Sequence, residues 1–136
     1  MFFNKKNNKV DTNFLTKVCA LLIHAAKIDE NYTENEETII KKTLLELGCS
    51  EDDLYKIIKD AKTIEENSNQ ILDFTKEVKN MDERNKIKIV ETLWKIIYSD
   101  KKADIYETGL MRKLAGLLYI DNKTMGDIKV KIQKEK

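Results

Sequence analysis

The sequence contains no proline, four glycines, two cysteines and one histidine in 136 residues. Because proline breaks helices and glycine weakens them, their scarcity favours long helices over turn-rich sheets. No sustained alternation of apolar and polar residues argues for strands. With one histidine and few glycines, most hydrolytic and phosphoryl-transfer sites lack their parts, and no nucleotide-binding or metalloprotease motif is present. These absences favour an all-α protein that is not an enzyme.

The chain also lacks an excess of one charge and any long apolar run. Lys and Arg number 25 against 24 Asp and Glu, so the net charge of +1 gives no electrostatic reason to expect nucleic acid as a partner. No apolar run reaches the length of a membrane span or a signal peptide. Cys19 and Cys49 have no C-x-x-C spacing and are predicted to be structural thiols in a reducing compartment. We therefore expect a cytoplasmic location and no transmembrane segment.

Apolar stripes at helical spacing and helix-capping residues divide the chain into about seven predicted helices. The residues predicted to begin them are Asp11 or Thr12, then Thr33, Ser50, Ser68, Asp82, Asp104 and Asp121. Residues 1–10, rich in Asn and Lys, are predicted to form a flexible N-terminal tail. Residues 11–136 are predicted to form a single helical domain, since this length suits one hydrophobic core.

The chain repeats its own pattern at an offset of 71 residues. Asp29 corresponds to Asp100 and Glu36 to Glu107, and the apolar and basic positions between and beyond them also match. We interpret this as two three-helix units, about 11–66 and 82–134, joined by a connector helix at 68–80. Two similar units that each expose an apolar face are predicted to pack about a pseudo-twofold axis.

Both predicted interhelical turns of these units are acidic. The acids in question are Asp29 and Glu36 in the first unit and Asp100, Asp104 and Glu107 in the second. An acid at a helix C-terminus opposes the helix dipole, and hard divalent cations prefer several oxygen ligands. We therefore predict these five residues as ligands of a weakly bound Ca²⁺, Mg²⁺ or Mn²⁺. The competing interpretation is structural: Thr33 with Glu36, and Asp104 with Glu107, have capping-box spacing.

The turns are not EF-hands, and the remaining chemically versatile residues favour ordinary structural roles. The twelfth positions counted from Asp29 and Asp100 are Ile40 and Met111, not the bidentate glutamate of an EF-hand. His24 has no second histidine with which to complete a site, so an exposed or interface position is expected. Trp94 lies on an apolar helical stripe and is expected in the core.

The second hairpin, residues 96–118, reads IIYSDKKADIYETGLMRKLAGLL. With its acidic turn and its partner copy it resembles the tellurite-resistance TerB-like family. Asp100, Asp104 and Glu107 match that family's turn, as do Asp29, Glu30 and Glu36 in the first copy. The resemblance implies an all-α, seven-helix, duplicated fold without an assigned catalytic activity. It also implies association with stress-response proteins and membrane-linked complexes, and a divalent-cation role for the acidic turns.

Three functions are compatible with these observations. The first is a non-enzymatic module that binds another protein, with a cation at the acidic turns and with a homo-oligomer or a peripheral membrane complex left open. The second is a dedicated divalent-metal-binding protein. The third, ranked last, is an enzyme with an unrecognised helical site, which would need ionisable residues gathered in one pocket.

Overall fold

The fold is given by a computed structural model that describes residues 12–27, 33–67, 72–98 and 105–135, without the side chains of residues 72, 73, 77 and 105–108. Seven helices account for nearly all of these residues. They are α1 (Thr12–Ala26), α2 (Glu34–Glu46), α3 (Glu51–Glu66), α4 (Leu72–Lys79), α5 (Glu83–Ile97), α6 (Ile105–Leu117) and α7 (Asn122–Lys134). No strand occurs within the described ranges, so the all-α prediction is confirmed. The predicted tail at 1–10, and Ser68 as a helix start, lie outside them.

Local capping explains where four of these helices begin. The side-chain oxygens of Thr33, Ser50, Asp82 and Asp121 each accept a hydrogen bond from the backbone N–H three residues later. These bonds satisfy amide donors that have no partner inside the helix. The predicted starts are therefore confirmed at these four residues.

Helix α1 is the centre of the molecule. It contacts α2, α3, α4 and α5, whereas α5 packs against α1, α2 and α7. Ten of the fifteen residues of α1 are buried, including both sides of the helix. An apolar surface on nearly the whole circumference of a helix requires neighbours on all sides, which this position supplies.

The helix bounds follow the 71-residue offset predicted from the sequence. Helices α1, α2 and α3 begin at residues 12, 34 and 51, and α5, α6 and α7 begin at residues 83, 105 and 122. After α2 and after α6 the backbone turns through a positive φ, at Gly48 and at Tyr119. The two halves therefore share their element order and the starts of their helices, while packing about a pseudo-twofold axis stays a prediction.

None of the helices in the described part of the chain combines the length and the apolar character needed to cross a bilayer.

Candidate functional site

The structure describes only part of the predicted acidic-turn site. Asp29, Asp100 and Asp104 lie outside the described residues. Glu107 lies in α6, but its side chain is among those outside the description. Glu36 is thus the one predicted ligand whose side-chain surroundings are known.

Glu36 is 4% exposed and forms the predicted capping box at the start of α2. Its Oε1 accepts a hydrogen bond from the Thr33 N–H at 2.8 Å, and Thr33 Oγ1 accepts from the Glu36 N–H at 3.1 Å. A carboxylate is a suitable donor for a hard cation, but this one already holds its own helix start. The structural interpretation of Glu36 is therefore confirmed, and the cation site stays a prediction.

A second carboxylate, Glu65, is buried between α1 and α3 and is 9% exposed. Its Oε1 accepts from Lys27 Nζ at 2.7 Å, and its Oε2 lies 3.2 Å from His24 Nδ1. Each carboxylate oxygen therefore has one nitrogen partner, as a buried charge requires. His24 is the interface histidine expected from the sequence, and its function here is to join two helices.

Two further polar contacts tie helices together in the interior. Buried Lys86 of α5 donates from Nζ to the carbonyl oxygen of Leu118 at 2.9 Å, where α6 ends. A cation at a helix C-terminus is favoured by the helix dipole. Thr43 of α2 and Thr92 of α5 place their Oγ1 atoms 2.7 Å apart in the core. Sequence patterns missed Glu65, Lys86 and Thr92 because the partners are distant along the chain.

Trp94 is 3% exposed, which confirms its predicted place in the core. Its ring stacks on Tyr98 with a centroid separation of 5.7 Å, and Lys129 Nζ lies 5.4 Å from the Trp94 ring centroid. Gln133 donates from Nε2 to the Tyr98 hydroxyl at 2.9 Å, and burial raises the pKa of that hydroxyl. The Lys129 cation–π contact and the Gln133 hydrogen bond thus hold α7 against the end of α5.

Both cysteines are free and buried. Burial raises the pKa of the Cys19 thiol from 9.0 to about 12, and it also raises the pKa of Cys49. Because the thiolate is the nucleophile, Cys19 is a poor nucleophile at neutral pH. Among the described side chains, no three His, Cys, Asp or Glu residues are grouped as a metal site would require.

A surface groove between α2 and α3 is a concave feature that sequence reasoning did not find. It has a volume of about 300 Å³ and is lined by Glu37, Lys41, Glu51, Leu54, Tyr55, Ile58, Lys59 and Lys62. Ile58 is buried, Leu54 is half-buried, and Tyr55 is 78% exposed. The apolar residues of α3 predicted which side of that helix is buried. The exposure of Tyr55, by contrast, depends on how α2 packs beside α3.

Comparisons with known proteins agree with this architecture. The family model described as Tellurite resistance protein TerB matches residues 15–130, which covers the chain from α1 to α7. No curated protein and no solved structure matches the chain. A match over that much of the sequence, with the predicted seven helices in place, shows that the chain belongs to the TerB family.

Proposed function

We propose that this chain is a non-enzymatic TerB-like module that binds another protein. The observation that carries the proposal is Tyr55, a 78% exposed aromatic side chain beside the groove between α2 and α3. Tyrosine is enriched at protein interfaces because its ring supplies apolar area and its hydroxyl supplies a hydrogen bond. A large aromatic side chain left in water on a helix is therefore a candidate anchor for a partner.

The scaffold behind Tyr55 supports this function. On the opposite side of α3, Ile57 and Ala61 are buried, and α3 makes extensive contact with α1. The Glu65 carboxylate fastens the end of α3 to α1 through Lys27 and His24. A binding residue on a helix held in this way is presented with little loss of conformational entropy when a partner binds.

The test is recovery and reconstitution of a partner. The full chain, tagged at one end, is purified from its source cells, and each co-purified protein is then made separately and mixed with it. We expect one of them to form a stoichiometric complex that persists in size-exclusion chromatography. The proposal is wrong if no such protein reconstitutes a complex and the chain alone sediments as a monomer. If the chain instead associates with itself in the same experiment, the surface around Tyr55 is the interface of a homo-oligomer.

Divalent-cation binding at the acidic turns is the second function we propose, and it is supported by the five acidic residues predicted there, Asp29, Glu36, Asp100, Asp104 and Glu107. Its test is titration of the full chain with Ca²⁺, Mg²⁺ and Mn²⁺ while the backbone amide resonances are followed. We expect the amides of Asp29, Asp100 and Glu107 to shift at millimolar metal.

A matched pair of variants separates a cation site from a general charge effect. Glu36→Gln removes the buried carboxylate charge and keeps a side-chain oxygen for the capping box. Glu34→Gln removes an exposed charge from the same helical turn. Weaker metal binding in the first variant alone supports the site, and unmoved amides at millimolar metal contradict it.

A further inference from the structure

We propose that the groove between α2 and α3 binds a short amphipathic helix of a partner protein whose apolar stripe is flanked by acidic residues. This inference rests on the proposed protein-binding function and assigns the place and the chemistry of the contact. The groove offers Leu54 and Ile58 as an apolar floor and Tyr55 as an exposed wall. These three residues occur at positions 54, 55 and 58 of one helix, the spacing that lays them along one face.

The size of the groove limits what it can accept. Its lining on α3 extends from Glu51 to Lys62, which is about three helical turns or ~16 Å at the helical rise per residue. A volume of about 300 Å³ holds one or two large apolar side chains. These dimensions fit a short helix that inserts an anchor residue, the mode in which amphipathic helices occupy hydrophobic grooves.

The charges around the groove favour an acidic partner. Lys41, Lys59 and Lys62 lie along it, and Glu37 lies between two of them, 3.6 Å from Lys41 Nζ and 3.2 Å from Lys62 Nζ. One glutamate shared by two lysines leaves a net positive charge at this end of the groove, while Glu51 is the single acid at the opposite end, so the lining carries three lysines against two acids. Lys59 is exposed and makes no ion pair with the described residues. Acidic side chains on the partner would complete this charge pattern and speed association.

Two segments of the chain itself, its first eleven residues and α7, carry the wrong charge to fill the groove. The first eleven residues contain two phenylalanines, but they carry Lys5, Lys6 and Lys9 against a single acid, Asp11. The exposed apolar residue of α7, Val130, stands between two lysines, Lys129 and Lys131. Either segment would bring positive charge to a groove whose lining already has three lysines against two acids. Electrostatic complementarity therefore disfavours both segments and favours an acidic helix of another protein.

The test uses two synthetic helical peptides of about three to four turns. Both carry leucines along one face, and they differ only in having glutamates or lysines beside that stripe. Fluorescence anisotropy of each labelled peptide with the full chain at low salt is expected to show a preference of about tenfold or more for the glutamate peptide. Equal affinity for the two peptides would overturn the inference.

Three single variants locate the binding. Tyr55→Ala and Lys59→Glu are each expected to weaken binding of the glutamate peptide about five- to tenfold. Lys42→Glu makes the same charge change at an exposed position of α2 that does not line the groove, and it is expected to have little effect. Circular dichroism confirms that each variant is folded, which is expected because all three side chains are exposed. Equal weakening by Lys42→Glu and Lys59→Glu would show general attraction and overturn the assignment.

Two further experiments test the alternative occupants of the groove, which are the chain's own first residues and a second copy of the chain. If Phe2→Ser/Phe3→Ser raises the affinity for the peptide about tenfold, the chain's own first residues fill the groove and the inference is wrong. If Tyr55→Ala abolishes self-association in sedimentation velocity, the occupant is a second copy and the inference is again wrong. A reconstituted natural partner that binds Tyr55→Ala and Lys59→Glu undiminished would refute the groove and leave the protein-binding function standing.

Discussion

Gly48 and Tyr119 occupy corresponding positions where α2 and α6 end, but they carry very different side chains. After each, a backbone N–H returns to the helix: Cys49 N–H donates to the Leu44 carbonyl at 3.0 Å, and Ile120 N–H donates to the Ala115 carbonyl at 2.9 Å. This bond requires a positive φ, which is 109° at Gly48 and 58° at Tyr119. Glycine adopts it readily, whereas another residue loses about 1 kcal/mol.

A contact of the Tyr119 ring offsets part of the free-energy cost of its positive φ. Lys79 Nζ lies 5.5 Å from the centroid of the Tyr119 ring, and an exposed cation–π contact stabilises by about 0.5–1 kcal/mol. Gly48 has no side chain with which to make such a contact. The same backbone turn is therefore maintained in two ways, by conformational freedom after α2 and by a ring contact after α6.

Gly48→Ala is expected to lower the free energy of unfolding by about 1 kcal/mol, because alanine is strained at positive φ. Gly126→Ala is the control in the interior of α7, where nothing lies within 4 Å of the added methyl group. There the free energy of unfolding should rise by about 0.5–1 kcal/mol, since alanine favours the helix. Urea unfolding of both variants measures these changes, and a loss of stability in both would contradict the assignment.

Contacts within one helical turn could be predicted from the sequence, whereas contacts between distant residues could not. Thr33 and Glu36 are three residues apart, so their capping box follows from local geometry alone. His24 and Glu65 are 41 residues apart, and their contact depends on how α1 packs against α3. For the same reason, nothing in the sequence pattern distinguished Tyr55 as an exposed aromatic residue.

At the scale of the elements, the buried Thr43–Thr92 pair joins α2 to α5, and the direction of its hydrogen bond can be assigned. Thr92 Oγ1 donates its one proton to the carbonyl of Lys88, 3.0 Å away. Thr43 must then be the donor across the 2.7 Å separation between the two hydroxyl oxygens. The bond is enclosed in the core, so the Thr43 hydroxyl would lose its acceptor without gaining water if Thr92 were replaced, whereas the Thr92 hydroxyl would keep its bond to Lys88 if Thr43 were replaced.

Replacing both threonines by valine should therefore cost less than the sum of the two single replacements. Thr92→Val is expected to lower the free energy of unfolding by about 1–2 kcal/mol, because it leaves the Thr43 hydroxyl without its acceptor. Thr43→Val is expected to cost less, about 0.5–1 kcal/mol, because the Thr92 hydroxyl keeps its bond to the Lys88 carbonyl. The double variant should lose less than the sum of the two, with a coupling of about 0.5–1.5 kcal/mol measured by a double-mutant cycle in urea. Additive effects would show that the hydroxyls do not bond to each other.

The order and the ends of the helices were largely predictable, because stripes and caps are local signals. Thr33, Ser50, Asp82 and Asp121 opened their helices as expected. The function of the acidic turns was not predictable in this way. A glutamate at the third helical position has the same spacing in the sequence whether it caps the helix or binds a cation. The structure shows that Glu36 caps its helix.

At the scale of the whole molecule, the two halves share one core. Helix α1 of the first half contacts α5 of the second, and α2 packs against α5 through the threonine pair. Leu22, Ile40 and Leu93 belong to one continuous cluster of buried residues. Neither half can therefore lose its structure without exposing apolar surface of the other, which predicts cooperative unfolding.

Two natural probes can measure this cooperativity, one in each half. Trp94 reports on the second half by its fluorescence. Cys19 reports on the first half by its protection from thiol reagents, because it is fully buried in α1 and burial raises its thiol pKa to about 12. A Cys49→Ala background leaves Cys19 as the single thiol. We expect both probes to give the same midpoint in urea, and Gly48→Ala to shift both equally although it lies in the first half. Separate midpoints would mean that the halves unfold independently, which the shared contacts of α1 and α5 argue against.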